Sequence, residues 1–200
     1  MSKQESTDLG WRERKRRGTH KRVWESAIAL FGANGYEATT LDAIAEASGI
    51  SKRTFFHYFA SKEEVLAAWQ ADVPDMFRAA IAEEPAGDTP IELVGNVLAK
   101  MPVHLNADQA VLINRIIRSS EQLRAGNLAK FLRLEEAAFE ALCERWPAPE
   151  RREGLRVVAM ASIGALRLAI DRFAEEDGRT PLVEVVEAAL AGLKAELSHA

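Results

Sequence analysis

Apolar residues recur at helical spacing along almost the whole chain, and the strict alternation that a half-buried strand needs is missing. Val23, Trp24, Ala27, Leu30 and Phe31 form one stripe between Thr19 and Asn34, and Gly35 supplies the left-handed residue that closes a helix. Thr40 is placed to cap a short second helix that turns Leu41, Ile44 and Ala45 inward and stops at Ser48-Gly49. A third helix starts at Ser51 and carries Phe55, Tyr58 and Phe59 inward, with Lys52, Arg53, Thr54 and His57 among its other positions. Ser61 with Glu64 is a capping box that opens a fourth, which Pro74 must break or kink. Pro85 to Asp88 reads as a loop. Thr89-Pro90-Ile91-Glu92 and Asn106 with Gln109 mark two further helix starts. A long helix spans Glu121 to Trp146, and Pro147-Ala148-Pro149 separates it from another over Glu150 to Glu176. The Asp177-Gly178 turn then leads to a last helix from Thr180-Pro181 to Leu197. The pattern predicts an all-α protein.

The segment Gly154 to Ala174 is nearly apolar all round, which predicts burial on two sides. Ala161, Gly164, Ala165 and Leu168 permit a partner helix to approach closely, and Leu182, Val186, Leu190, Leu193 and Leu197 form a stripe on the last helix. Two such terminal helices pair readily with their symmetry mates in a four-helix homodimer interface. The competing reading is a central helix in a monomeric bundle.

Composition adds class and compartment. The 200 residues are 48% hydrophobic and 28% charged, which excludes disordered, collagen-like and low-complexity chains. The single cysteine, Cys143, forms no intramolecular disulfide, and the longest uncharged run near the C-terminus is too short to cross a bilayer. The polar, basic N-terminus lacks the apolar core of a signal peptide, so a cytoplasmic protein without a membrane partner is expected. Charge changes the picture further. Residues 1–62 hold 11 Lys and Arg against 7 Asp and Glu, while residues 63–200 hold 15 against 23. The excess is local: Arg12, Arg14, Lys15, Arg16, Arg17, Lys21 and Arg22 are opposed only by Glu13. A basic end on an acidic body points to a polyanion partner for that end, and the plainer alternative is a solvated basic tail.

Ala45, Gly49 and Phe55 stand at offsets that suit a helix-turn-helix. A small residue lets two helices cross, glycine takes the turn, and an apolar residue pins the second helix. Ser51, Lys52, Arg53, Thr54 and His57 are then left outward at the start of the second helix. Their cations and hydroxyls suit phosphates and base edges in a major groove.

From about Thr19 to Leu66 the chain resembles the TetR family of bacterial transcriptional regulators. Ala27, Leu30-Phe31, Gly35-Tyr36, Thr39-Thr40, Ile44-Ala45, Ser48-Gly49-Ile50-Ser51, Phe55-Phe56-His57-Tyr58-Phe59 and Ser61-Lys62-Glu63 carry the resemblance. It implies a DNA-binding domain over residues 19–64, preceded by a partly disordered basic arm over 1–18. A helical domain for effector binding and dimerisation follows over 65–200. It also implies that Thr40 caps the second helix beside phosphate, that Lys52, Arg53, Thr54 and His57 read the operator, and that Lys62 contacts phosphate. Where the family usually has a tyrosine this chain has Phe56, which makes no phenolic hydrogen bond but can pack on a sugar or a thymine methyl. The arm is more basic than the motif requires, which implies an extra backbone or minor-groove contact.

The body is similar to the TetR subset that binds acyl-coenzyme-A-like ligands, at Arg115-Ile116-Ile117-Arg118, Glu121-Gln122-Leu123-Arg124 and Gly164-Ala165-Leu166-Arg167. Such an effector, acyl-CoA or another apolar molecule, needs an apolar tunnel with cations at its mouth. Leu112, Ile116, Phe131, Leu134, Phe139, Met160 and Ile163 are candidates for the tunnel, and Arg115, Arg118 and Arg167 for the mouth. The alternative is plain core, with the arginines paired to Glu121 or Asp171.

Searches for other chemistry lead elsewhere. His20, His57, His104 and His199 lie far apart, so neither a metal nor another cofactor is expected. Met160-Ala161-Ser162-Ile163-Gly164 lacks the first glycine of a nucleophile elbow, and neither a P-loop nor a dinucleotide fingerprint occurs, so an enzyme is not expected. Glu135, Glu136, Glu140 and Glu144 read as a solvated helix face. The reading is a homodimeric repressor that binds a palindromic double-stranded DNA operator and is released by a small effector. Its rival is an adaptor of the same fold, controlled by a protein partner without a ligand pocket.

Overall fold

The computed structural model describes residues 3–68, 71–85, 89–101 and 106–198. Ala86 to Asp88, His104 and His199 lie outside them. The described residues form α1 (Lys3–Asn34), α2 (Leu41–Ala47), α3 (Lys52–Tyr58), α4 (Lys62–Ala68), α5 (Val73–Glu83), α6 (Pro90–Lys100), α7 (Ala107–Arg118), α8 (Glu121–Arg145), α9 (Arg152–Glu175) and α10 (Leu182–Ser198). A 3-10 turn over Pro149–Arg151 precedes α9, and the described residues contain no strand. The chain divides into two compact units, Met1–Ala71 and Asp72–Ala200.

Local chemistry sets most helix starts. The Thr40 hydroxyl accepts from the Ala43 N–H at 3.1 Å, and Ser51 accepts from Thr54 N–H at 3.1 Å. Thr89 with Glu92 and Asn106 with Gln109 make full capping boxes. Pro74 sits in the first turn of α5, where its missing N–H costs nothing, and a turn at Ala71 and Asp72 precedes that helix.

In the first unit, Val23, Trp24, Ala27 and Phe31 of α1 meet Ile44 and Ala45 of α2, Phe55 of α3, Phe59 just after it and Val65 of α4 in one buried core. Each fully buried aromatic or aliphatic side chain contributes about 1.5–3 kcal/mol. Two sequence expectations change here. Helix α1 begins at Lys3, so the stretch read as a partly disordered arm is helical. Its Lys, Gln, Glu and Arg residues favour helix without an apolar stripe, which is why periodicity overlooked it. Tyr58 is exposed rather than inward. Its ring stands against His20 at 5.4 Å and His57 at 5.2 Å, at the rim of the core.

In the second unit α9 is central, packing against α6, α7, α8 and α10, as its apolar circumference requires. Ion pairs then tie the outer helices. Arg78 of α5 bridges Glu140, at 3.0 Å, and Glu144 of α8, while Arg156 of α9 pairs with Glu136 at 2.5 Å. Glu136, Glu140 and Glu144 are thus partners of arginines on neighbouring helices rather than a merely solvated face. Periodicity registers their exposure but not what stands opposite.

The dimer residues read from the sequence divide. Val186, Leu190 and Ala165 are already buried within the protomer, Val186 at 4% exposure, and Leu182 and Leu193 pack against the same core. Val186 and Leu190 of the α10 stripe therefore face their own body, while Leu182 and Leu193 keep part of their surface exposed. Leu168 is 65% exposed and Val157 and Met160 are exposed with it, one to three turns apart on the outer face of α9, while Ala161 and Gly164 are half-buried. Met160 consequently does not line an interior tunnel.

Candidate nucleic-acid interface

Helix α3 is held from behind and open in front. Phe55 and Phe59 stack at 5.4 Å in the core, which fixes the helix rotation. The opposite side then presents Ser51, Lys52, Arg53, Thr54, Phe56 and His57, all exposed, and Arg53, Thr54, Phe56 and His57 line one open concavity. Phe56 is 50% exposed and meets Phe55 in a T-shaped contact at 5.4 Å. An aromatic ring left that far in water on a cationic face suits an apolar group between polar ones, as a thymine methyl is in a major groove. Lys52 pairs with Asp42 of α2 at 2.8 Å, so one of the expected cations also braces α2 against α3.

Thr40 is exposed at the start of α2, as its expected place beside phosphate requires. Lys62 is different. Its ammonium donates to the carbonyls of Tyr36 at 2.7 Å and Glu37 at 3.3 Å, and lies 4.3 Å over the Tyr36 ring. With its side chain only 19% exposed, Lys62 clasps the α1–α2 connection to α4. The Tyr36 hydroxyl completes the clasp by donating to Glu63 Oε1 at 3.0 Å. Burial, then the bond and charge of Glu63, raise the Tyr36 phenol, which stays protonated as a donor. Burial opposes the Glu63 carboxylate, but its own backbone N–H, Ser61, Tyr36 and Lys62 outweigh it and hold the pKa below the usual range.

The expected effector residues are not gathered as drawn. Ile116 and Phe131 are buried and Leu112 is half-buried, while Arg115 and Arg167 are exposed. Arg118 pairs with Glu175 at 2.8 Å and approaches Asp171 at 4.0 Å, which is close to the ion-pair alternative. Leu134, Phe139 and Ile163 belong to the packed core. Sequence reasoning missed Lys130 of α8, whose ammonium lies 4.1 Å over the Phe131 ring. Burial pulls its pKa down to about 8 against the attraction of Asp171, and Arg133 adds to the lowering. Only its place at i−1 to an apolar core residue hinted at this.

A pinned short helix with cations, hydroxyls and an aromatic ring outward, following a capped helix across a glycine turn, has the geometry of a helix-turn-helix motif. The sequence model of bacterial regulatory proteins of the tetR family matches residues 24–69, which include that whole motif. The transcriptional regulator TcmR of Streptomyces glaucescens is 45% identical over 83 residues, 42% of this chain and 37% of TcmR. The chain thus matches under half the length of that relative. Among solved structures, a transcriptional regulator from Aquifex aeolicus superposes over 88% of this chain and 98% of its own, with TM-score 0.58 and 22% identity. Thermus thermophilus FadR, a TetR-family repressor in complex with lauroyl-CoA, covers 86% of this chain and 91% of its own, with TM-score 0.56 and 25% identity. Residues 24–69 thus match the tetR family of bacterial regulatory proteins, and the fold of the chain is similar to that of solved transcriptional regulators. No helix among the described residues is long and apolar enough to cross a membrane.

Proposed function

We propose that the protein is a homodimeric repressor that reads a palindromic operator through α3 and is released by a small apolar or acyl-CoA-like effector held in the second unit. The observation that carries the DNA reading is the single concavity shared by Arg53, Thr54, Phe56 and His57. Arg53 reads guanine, Thr54 and Ser51 bond phosphate or base edges, His57 adds a donor, and Phe56 covers a thymine methyl. Lys52 contributes from its Asp42 pair, and Thr40 approaches phosphate from the α2 start.

The outer face of α9 supports the dimer. Val157, Met160 and Leu168 are exposed, and the space over Gly164 is empty to 4 Å, so a second helix fits closely there. Exposed Val183 and open Gly192 on α10 support a second strip of the same interface. Lauroyl-CoA in the FadR relative supports the effector class. Leu112, Ile116 and Phe131 would supply apolar wall, and Arg115, Arg118, Arg167 and Lys130 the cations. Effector binding releases DNA only by its affinity difference between two states of the dimer, one with recognition helices spaced for successive major grooves.

The test selects duplexes from a random library with the full chain, then titrates the complex with lauroyl-coenzyme A, with free coenzyme A and laurate as controls. An enriched inverted repeat bound by two chains and released by lauroyl-coenzyme A is expected. The absence of any enriched motif overturns the DNA reading. An enriched repeat that persists at saturating lauroyl-coenzyme A removes the acyl effector and turns attention to a protein partner.

A further inference from the structure

Polar side chains inside a folded body find hydrogen-bond partners, so those that lack one call for a reason. Two stand in the second unit, on α7 and α8, and both look towards the same part of α9. Asn114 of α7 is 8% exposed and makes no hydrogen bond among the described residues. It lies one turn after Val111, which stands beside Gly178, and one turn before Arg118, which pairs with Glu175 at 2.8 Å. Asn114 is therefore on the face of α7 that meets α9.

Lys130 of α8 occupies a core-side position, with Leu134 one turn on and Ala137 two turns on both buried. Its ammonium lies 4.1 Å over the Phe131 ring and makes neither a hydrogen bond nor an ion pair among the described residues. The ring covers one side of a group that carries three donors. Burial lowers its pKa to about 8, Asp171 of α9 opposes the shift, and Arg133 of α8 adds to it. Asp171 links the two side chains: it attracts Lys130, and it lies 4.0 Å from Arg118, one turn beyond Asn114.

Of the cations offered to an effector above, Arg115, Arg118 and Arg167 are exposed, and Arg118 is already engaged with Glu175 and Asp171. Lys130 is half-buried, and its charge has no carboxylate of its own. A half-buried ammonium gains more from an anion than an exposed one does, because less water screens the pair. Asn114 adds a neutral amide donor on the facing helix. Resting on the effector reading given above, we infer that the corner between α7, α8 and α9 takes the carboxylate of an apolar acid, with Lys130 pairing with it and Asn114 donating to it. Ile116, two residues after Asn114, and Phe131, next to Lys130, are buried and offer apolar contact to the rest of the acid. A phosphate monoester fits less well, because its second charge meets no further half-buried cation among these residues.

The experiment titrates the full chain calorimetrically with laurate below its micellar concentration, with dodecanol and with lauroyl-coenzyme A. Laurate and dodecanol are then repeated on Lys130→Met, Lys130→Arg and Asn114→Leu. The full chain should bind laurate about tenfold or more tightly than dodecanol, the effect of one charge-assisted contact. Lys130→Met should remove that preference and leave dodecanol affinity unchanged, Lys130→Arg should keep part of it, and Asn114→Leu should weaken laurate a few-fold. Near pH 8 laurate should bind the full chain with proton uptake, read as an enthalpy that varies with the buffer, because the carboxylate draws Lys130 to its charged form. Lys130→Met should show none. Equal affinity for acid and alcohol, or a preference that survives in Lys130→Met, overturns the carboxylate site and leaves the effector reading in place. Lauroyl-coenzyme A bound without any binding of laurate does the same. Unchanged laurate affinity in Asn114→Leu overturns the part given to Asn114. A full chain that binds none of the three overturns both this proposal and the effector reading beneath it.

Discussion

The outward faces of α3 and α9 are both left uncovered by the chain's own core, and their chemistry is opposite. On α3 the uncovered side carries Arg53, Thr54 and His57 around one exposed ring, and on α9 it carries Val157, Met160 and Leu168 around an open glycine. A polar face tolerates water and gains from a polyanion, whereas an apolar stripe of that length loses free energy until another apolar surface meets it. The proposed function gives the two faces different partners, DNA for one and a second copy for the other. Neither follows from exposure alone.

The comparison breaks most visibly on α9. Leu168→Glu places a charge at the centre of the apolar stripe and should convert dimers to monomers in sedimentation velocity, with operator affinity down by about a hundredfold or more because half the phosphate and base contacts are lost. A variant that stays dimeric with full affinity assigns the dimer to another surface. Arg53→Ala tests the other face. It should cost about 1–3 kcal/mol on the selected operator and relax choice at one position, with little change on random DNA. Equal losses on both duplexes would move Arg53 from base to backbone.

Inside the second unit, Lys130 supplies a prediction whose sign is fixed by linkage. Its folded pKa of about 8 lies below the 10.5 of an unburied lysine, so between those values the unfolded chain binds more protons than the native one. Stability should rise with pH across that window, and the full penalty of the buried charge is present below it. Lys130→Met should raise stability by about 1–2 kcal/mol near neutral pH and flatten the rise, as read by chemical denaturation at pH 7 and pH 10. Equal gains at both values would show a packing effect instead. The smallest effect belongs to Phe56. Replacing thymine by uracil at the contacted position should cost the native chain up to about 1 kcal/mol and the Phe56→Ala variant nothing. Equal sensitivity in both would place the ring elsewhere.

The helix-turn-helix was legible because its determinants are local. Thr40 and Ser51 bond backbone three residues on, and Phe55 is buried on any helix that also buries Phe59. The identity of the partner across a helix pair was not. Leu182, Val186 and Leu190 form the same stripe whether it faces the protomer's core or a second copy, and only the packing of α10 on α9 decides. The partners of Lys62 were hidden for a related reason. A lysine at a helix start suits an anion, but two carbonyls from the α1–α2 connection claim it first, and no spacing rule encodes residues 25 and 26 positions away. Lys130 is charged in composition and half-buried in the fold, and only its neighbours in space set that.

The glycines at the two turns differ in how much substitution they permit. Gly49 has φ +66 and nothing within 4 Å of where a Cβ would stand. Gly178 has φ +68, but a Cβ there would meet the Ala107 methyl and the Phe173 ring, each at 3.1 Å. Asparagine adopts the left-handed conformation at modest cost, so a saturation library should recover it at position 49 and reject it at 178. The turn after α9 is thus a seam only one hydrogen wide, at which the start of α7 and the end of α9 are kept in register by the absence of a side chain.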